Sequence, residues 1–462
     1  MNHRHLFLDL RDITSMEHVH RRVHTPRRHP ENPILQGEND WERFASLYGT
    51  VLRDPQDGTF KMWYLTGPQK DGFVQIRGRR ALGNCTLLGY AESHDGVRWH
   101  KPVLNQVDVA GSTANNLIDV GRSNCEGFAV LYDQRDPDPQ RRYKGFYWEH
   151  GGTDTFVEHE GRLIWGQGEG DGMWMSFSPD GIHWDNCAEN PVIPLGSDTT
   201  QSLVWDETIA SYVAFGRMGA NGRRVARATS RDAVHFDEPT MVFDADQWDE
   251  EGTQFYGMPL SLYEGMYLGM VWVYREGVDG RIDTSLACSR DGIDWQRVGD
   301  RETFLGLGEQ GSWEDGMVRI SQHFVVVDDE IYLYYGGVEG PHTGRKFAQV
   351  KRTHASAIGL ATLRRDGFVS LEANDQPGAM LTKPIVVTGD RLHVNAASHG
   401  HLIAEVTDDT GTPLPGYTSL PMVKDRTDAA LRFDRPLAAL QGHTVRLRFH
   451  LKRANLFSYW FT

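Results

Sequence analysis

Carboxylates, aromatic rings and amides recur along this chain at comparable points, each time at the entry to an apolar run. Trp41, Glu42 and Tyr48 stand at the first such entry, Asn124, Cys125 and Glu126 at the second, and Asp198, Thr199 and Gln201 at the third. Gln254 and Tyr256 stand at the fourth, and Trp313, Glu314 and Asp315 at the fifth. Acids converging on an aromatic-lined pocket are what glycosidic cleavage needs, one protonated to donate to the leaving oxygen and another ionised as nucleophile or water-activating base. Trp and Tyr faces stack on the apolar faces of sugar rings, while Gln and Asn satisfy hydroxyls. Any one of these acids would equally cap a turn or pair with a nearby arginine. On this pattern Asp198 and Glu314 form the expected central pair, with Glu42, Glu126 and Asp315 as further acids. Trp41, Tyr48, Gln201, Gln254, Tyr256 and Trp313 are the expected substrate contacts. Arg217, near the end of an inner strand, would orient a carboxylate, bind an anionic sugar or serve a structural ion pair.

A repeat is what would bring these positions together. Ser178-Pro179-Asp180-Gly181-Ile182-His183-Trp184 is preceded by Ser93-His94-Asp95-Gly96-Val97-Arg98-Trp99. It is followed by Ser230-Arg231-Asp232-Ala233-Val234-His235-Phe236, by Ser289-Arg290-Asp291-Gly292-Ile293-Asp294-Trp295 and by a worn copy, Arg365-Asp366-Gly367-Phe368. Asp-Gly makes a tight turn, because Gly takes positive φ without steric cost and Asp bonds its own backbone, so these aspartates read as turn residues. A unit repeated at several tens of residues cannot bury its apolar face alone and must stack on neighbours. Each unit carries about four short apolar runs, the shape of a propeller blade, and the loops entering the innermost strands ring one mouth of the central channel.

The expected fold is therefore all-β: a five-bladed β-propeller over residues 41–375, followed by a small C-terminal β-sandwich over residues 376–462. Residues 1–40, rich in His and Arg, read as a lead-in that closes the last blade with a strand from the other end of the chain. Its histidines His18, His20, His24 and His29 read as a solvated arm, since no spacing marks a metal site. The sandwich would pack on the propeller or mediate homo-oligomerisation. A net charge of −15 argues against a nucleic-acid or anionic-membrane partner and leaves a small-molecule or oligosaccharide substrate. No apolar run is long enough to span a bilayer, the start does not resemble a signal peptide, and Cys85, Cys125, Cys187 and Cys288 are scattered. A reduced, cytoplasmic protein without cofactor or metal is expected.

The repeated turns and the closing sandwich resemble the five-bladed β-propeller glycoside hydrolases of the invertase, levansucrase and arabinanase superfamily. Tyr48-Gly49-Thr50-Val51 with Lys61-Met62-Trp63-Tyr64, Asp198-Thr199-Thr200-Gln201, and Gly311-Ser312-Trp313-Glu314-Asp315-Gly316-Met317 are similar to stretches of bacterial proteins labelled family-32-like. The resemblance implies an exo-acting hydrolase of a terminal furanoside, a fructoside or an arabinofuranoside. Some relatives hold a metal ion in the channel, but no ligand set for one is legible in this sequence. The chain also departs from the invertase pattern. It has no W-x-N-D-P-N-G motif and no E-C acid motif in the expected place, and Arg135-Asp136-Pro137 falls in a turn-rich segment that reads as a hairpin loop. A non-catalytic sugar-binding propeller stays open beside the hydrolase, as does a lyase with Tyr48, Tyr256 or His323 as base.

Overall fold

In the computed structural model the described residues are 3–68, 74–76, 79–81, 86–120, 124–150, 156–159, 162–165, 170–218, 223–342 and 356–462, so Cys85 lies outside them. The chain is all-β; the helical elements among the described residues are the short 3-10 turns Pro139–Arg141 and Leu437–Leu440. No helix among the described residues is long and apolar enough to cross a membrane.

Antiparallel groups of strands follow one another along the chain, the first three as four-strand sheets and the last two joined through a parallel bridge between Ile282 and Met317. Ser46–Arg53, Phe60–Thr66, Leu87–Ser93 and Leu117–Ile118 pair in that order. Cys125–Tyr132, Tyr143–Glu149, Gly172–Ser178 and Asp185–Asn186 form the second sheet, and Ser202–Asp206, Ser211–Gly216, Val225–Ser230 and Thr240–Phe243 the third. In the next, Thr253–Gly257 and Leu260–Tyr263 share one partner, Met266–Arg275, which pairs with Ile282–Ser289 and through it with Trp295–Arg297 and Thr303–Leu305. The last runs from Met317–Ile320 and Val325–Val327 through Glu330–Val338 to Ser356–Arg364, whose outer edge is covered by Arg27–Arg28 and Leu35–Gln36 of the lead-in. Arg135-Asp136-Pro137 lies between the first two strands of the second sheet, where Asp136 accepts from Lys144 Nζ at 2.8 Å.

Strands of successive sheets touch in sequence order, and the last returns to the first. Thr50 Oγ1 bonds Phe128 O at 3.3 Å and accepts from Val130 N at 2.9 Å, joining the first sheet to the second. Leu260 N donates to Ser202 Oγ at 3.0 Å, and Thr284 Oγ1 donates to Val318 O at 2.9 Å. Closure comes from Gln322, which bonds Thr50 Oγ1 and bridges to it in parallel.

Two recurring devices tie neighbouring sheets. The first is the repeated turn. Ser178 Oγ accepts from Gly181 N at 2.8 Å, while Asp180 Oδ1 accepts from Ile182 N and His183 N, each at 2.8 Å. Gly181 O then accepts from Trp63 Nε1 of the preceding sheet at 2.8 Å, as Gly96 O accepts from Tyr334 Oη at 2.9 Å. The second device is a tyrosine that reaches back to an aspartate of the sheet before it: Tyr143 to Asp54, Tyr212 to Asp133 and Tyr267 to Asp206. Hydrogen bonds to a charged acceptor are each worth about 1.5–3 kcal/mol.

The tail is a separate sheet built on two long strands, Leu392–Thr407 and Thr444–Phe461, paired along most of their length. It begins before residue 376, because Val369–Ala373 already pairs with Thr444–Phe461. The lead-in is divided between the two parts. His5–Leu6 pairs with Thr444–Phe461, Ile13–Glu17 with Gly378–Thr382 and His20–Val23 with Val369–Ala373, whereas only Arg27–Arg28 and Leu35–Gln36 serve the last group of strands. One continuous core joins tail and repeats, with Leu402, Leu447 and Phe449 in the same cluster as Phe304, Leu333 and Phe368. The worn turn residue Asp366 sits at that junction, accepting from Arg4, Tyr263, Asn395 and Ser458.

Candidate active site

The entries to three of the first strands depart from the regular ladder. Register shifts fall between Ser46 and Thr50, between Glu126 and Ala129, and between Phe255 and Gly257, so Tyr48, Glu126 and Tyr256 all sit at bulges. A bulge inserts an extra residue, bends the strand and re-aims a side chain. At the second, Gly127 has φ +66°, and a Cβ there would collide with Thr199 O. Only glycine takes that conformation and that proximity without strain.

Two of these entries, at Tyr48 and Tyr256, line a cavity of about 210 Å³ together with Arg43, Phe44, Ser46 and Arg319, among others. Arg319 lies 4.5 Å over the Tyr48 ring and bonds its hydroxyl, and Trp272 meets Tyr48 edge-on at 5.3 Å. Burial pushes the Tyr48 phenol well above its usual range. Tyr256 Oη is 3.0 Å from His342 Nε2, with the Arg223 guanidinium 5.3 Å and the Arg217 guanidinium 6.0 Å from its ring.

Two acids act on one another at this mouth. Glu126 is partly buried and accepts from Thr86 Oγ1 at 3.0 Å. Burial first, and then the charge of Asp198, push its carboxyl up to about 7, against the opposing pull of the Thr86 hydroxyl and the Arg319 guanidinium. Asp198 is open to solvent, its side chain 76% exposed, and pairs with Arg217 Nη2 at 3.2 Å. Arg217 also donates to the Asp198 carbonyl, which fixes the loop ahead of Ser202–Asp206.

The other expected residues are held by the fold. Glu42 is buried and bonded by Lys101 Nζ and Asn39 Nδ2, each at 2.8 Å, and by the Tyr64 hydroxyl. Glu314, expected as the partner of Asp198, is buried and receives Arg28 Nε of the lead-in at 2.8 Å; the carboxyl that feels Asp198 is Glu126. Asp315 caps backbone, accepting from Gly311 N and Gly340 N at 2.8 Å. Trp41 donates to Asn116 Oδ1 at 2.9 Å, and Trp313 stacks on Tyr335 with ring centres 5.8 Å apart. Gln201 is buried and clamps its own loop through Ser197 O and Thr199 O. Gln254 accepts from Arg223 Nη1 at 2.6 Å and donates to Glu276.

Arg319, Arg43, His342 and Thr86 were not anticipated. Arg319 carried a signal, a charge in the apolar inner strand Met317–Ile320, but it lies within that strand rather than at its entry. Among the described residues no cluster of three His, Cys, Asp or Glu is arranged to hold a metal ion, and His24 of the lead-in bonds Ser370 Oγ at 2.8 Å.

No protein-family model and no curated protein matches the sequence. Among solved structures, the chain is similar to BT0996 in an RGII complex, at 15% identity over 74% of this chain and 92% of that one, with a TM-score of 0.49. It is similar to the β-1,2-mannobiose phosphorylase of Listeria innocua at 10% identity over 73% and 96%, TM-score 0.47. With the GH32 β-fructofuranosidase of Bombyx mori the identity is 10% over 94% of each chain, TM-score 0.45. The solved structures to which this chain is similar thus include glycoside hydrolases.

Proposed function

We propose that the chain is a glycoside hydrolase, a five-bladed propeller closed by a C-terminal β-sandwich, that removes a terminal sugar at the mouth lined by Tyr48, Glu126, Asp198, Tyr256 and Arg319. The observation that carries this reading is the unequal pair of acids. Partial burial, with the charge of Asp198 added to it, lets Glu126 keep its proton up to about pH 7, while Asp198 stands open and paired with Arg217. Two carboxyls whose surroundings drive their protonation apart are the acid and base of glycosidic cleavage. Glu126 gives its proton to the glycosidic oxygen as the bond from the anomeric carbon breaks. Asp198 either attacks that carbon or takes a proton from the water that does. Tyr48 and Tyr256 offer ring faces for the sugar. A furanoside, by the resemblance of the repeats, is the leading substrate class.

Elimination with Tyr48 as base is disfavoured by the same burial that raises its phenol. Burial also pushes His323 down to about 4, which leaves it a weak base. The test is a panel of aryl furanosides and pyranosides with the wild type, Glu126→Gln and Asp198→Asn. Release of the aglycone by the wild type and a drop of about a hundredfold or more in both variants is expected. Wild-type turnover in either variant removes that acid from the mechanism.

A further inference from the structure

Among the described residues, Arg319 is a buried cation without a counter-ion. It projects from the innermost strand Met317–Ile320 and is 5% exposed. Its hydrogen-bond partners among the described residues are two neutral hydroxyls, Tyr48 Oη and Ser46 Oγ, the latter at 3.4 Å. The rings of Tyr48 and Trp272 cover its faces at 4.5 and 5.6 Å, and its Nε has no partner among the described residues.

Two half-buried arginines elsewhere in the chain do meet carboxylates. Arg4 meets Asp366 at 2.8 Å, and Arg297 meets Asp249 at 3.0 Å. A desolvated guanidinium costs several kcal/mol unless an anion and well-aimed acceptors offset it. The Arg319 charge acts on Glu126, whose carboxyl is nonetheless pushed up to about 7 by burial and by the charge of Asp198. Arg43 lines the same cavity, and among the described residues it too has no carboxylate partner. Two guanidinium groups at one mouth are a local reversal in a chain of net charge −15.

Resting on the reading of this cavity as a sugar site, we propose that its substrate carries an anionic substituent, a carboxylate or a sulfate ester, received by Arg319 with Arg43 beside it. The planar fork of a guanidinium matches the paired oxygens of either group, and the aromatic faces that flank Arg319 exclude the water that would otherwise screen the pair.

The experiment measures binding of galacturonate and glucuronate, of galactose 6-sulfate, and of neutral galactose, glucose and arabinose to the full chain by calorimetry, at low and high salt. The matching aryl glycosides are assayed in parallel. An acidic sugar is expected to bind tenfold or more tightly than its neutral counterpart. That preference should shrink at high salt, vanish in Arg319→Gln and persist in part in Arg319→Lys. A sulfate preference over uronate names the sulfate ester as the source, and the reverse names the carboxylate. Equal or weaker binding of both acidic classes, or no binding of any sugar, overturns the proposal. The wild-type preference and its salt dependence decide even where Arg319→Gln fails to fold. Cleavage of neutral glycosides without acidic preference leaves the hydrolase standing and the anionic substrate refuted. Tight uronate or sulfate binding without cleavage does the opposite.

Discussion

Replacing Glu126 by Gln removes the charge that the site is least able to hold, and the effect reads out in stability without any substrate. The carboxyl rises from its ordinary 4.5 to about 7 in the folded chain. The folded state therefore binds this proton more tightly than the unfolded state does. That contribution is fully present below pH 4.5 and is lost as pH rises to about 7. At about 1.4 kcal/mol for each pH unit, the loss is bounded near 3 kcal/mol, and water at the open mouth reduces it to ~1–2 kcal/mol. Glutamine is neutral throughout and escapes the loss. Thermal melts of the wild type and Glu126→Gln, taken side by side from pH 4 to pH 8, should show the variant gaining about 1–2 °C relative to the wild type for a chain of this length. Parallel melting curves across the range, or a variant that loses ground as pH rises, would show that Glu126 is not held protonated.

Asp198→Asn should lower the midpoint at which Glu126 titrates by roughly one pH unit or less, because burial, the larger cause, remains; carboxyl NMR of the folded protein checks it, and an unmoved midpoint refutes the coupling. Arg28→Ala strands the buried Glu314 and should cost about 1–3 kcal/mol by chemical denaturation, with kcat/KM per folded molecule unchanged. Loss of turnover in that variant would return Glu314 to the mechanism. Gly127→Ala should destabilise the fold by at least ~1 kcal/mol and cut turnover further than the stability loss explains, since the bulge that aims Glu126 must shift. An active, stable Ala variant would show that the bulge is not needed.

The repeated Asp-Gly turns were legible because their geometry is local: Asp180 finds its partners within three residues. The reading from strand entries chose Tyr48, Glu126, Asp198 and Tyr256, the residues of the proposed site, by the same logic of chain position. What sequence could not do was sort the acids. Glu42 is neutralised by Lys101, 59 residues away, and Glu314 by Arg28, 286 residues away. No local pattern carries such pairings. The tyrosine-to-aspartate ties between sheets were missed for the same reason, each joining residues 61 to 89 positions apart. The lead-in was expected to close the last blade; its second half covers that edge, and its first half joins the tail, where its apolar residues Leu6, Phe7 and Leu8 find a core.

The bulges at Tyr48, Glu126 and Tyr256 also bear on how such a scaffold changes over time. A residue within a regular ladder answers to neighbours on both sides, so exchanging it disturbs two strands at once. A residue on a bulge has been released from one of those obligations. The positions at Tyr48, Glu126 and Tyr256 that we propose meet the substrate are thus ones the sheets depend on little, and the chemistry there is free to be rewritten while the frame behind it is inherited intact.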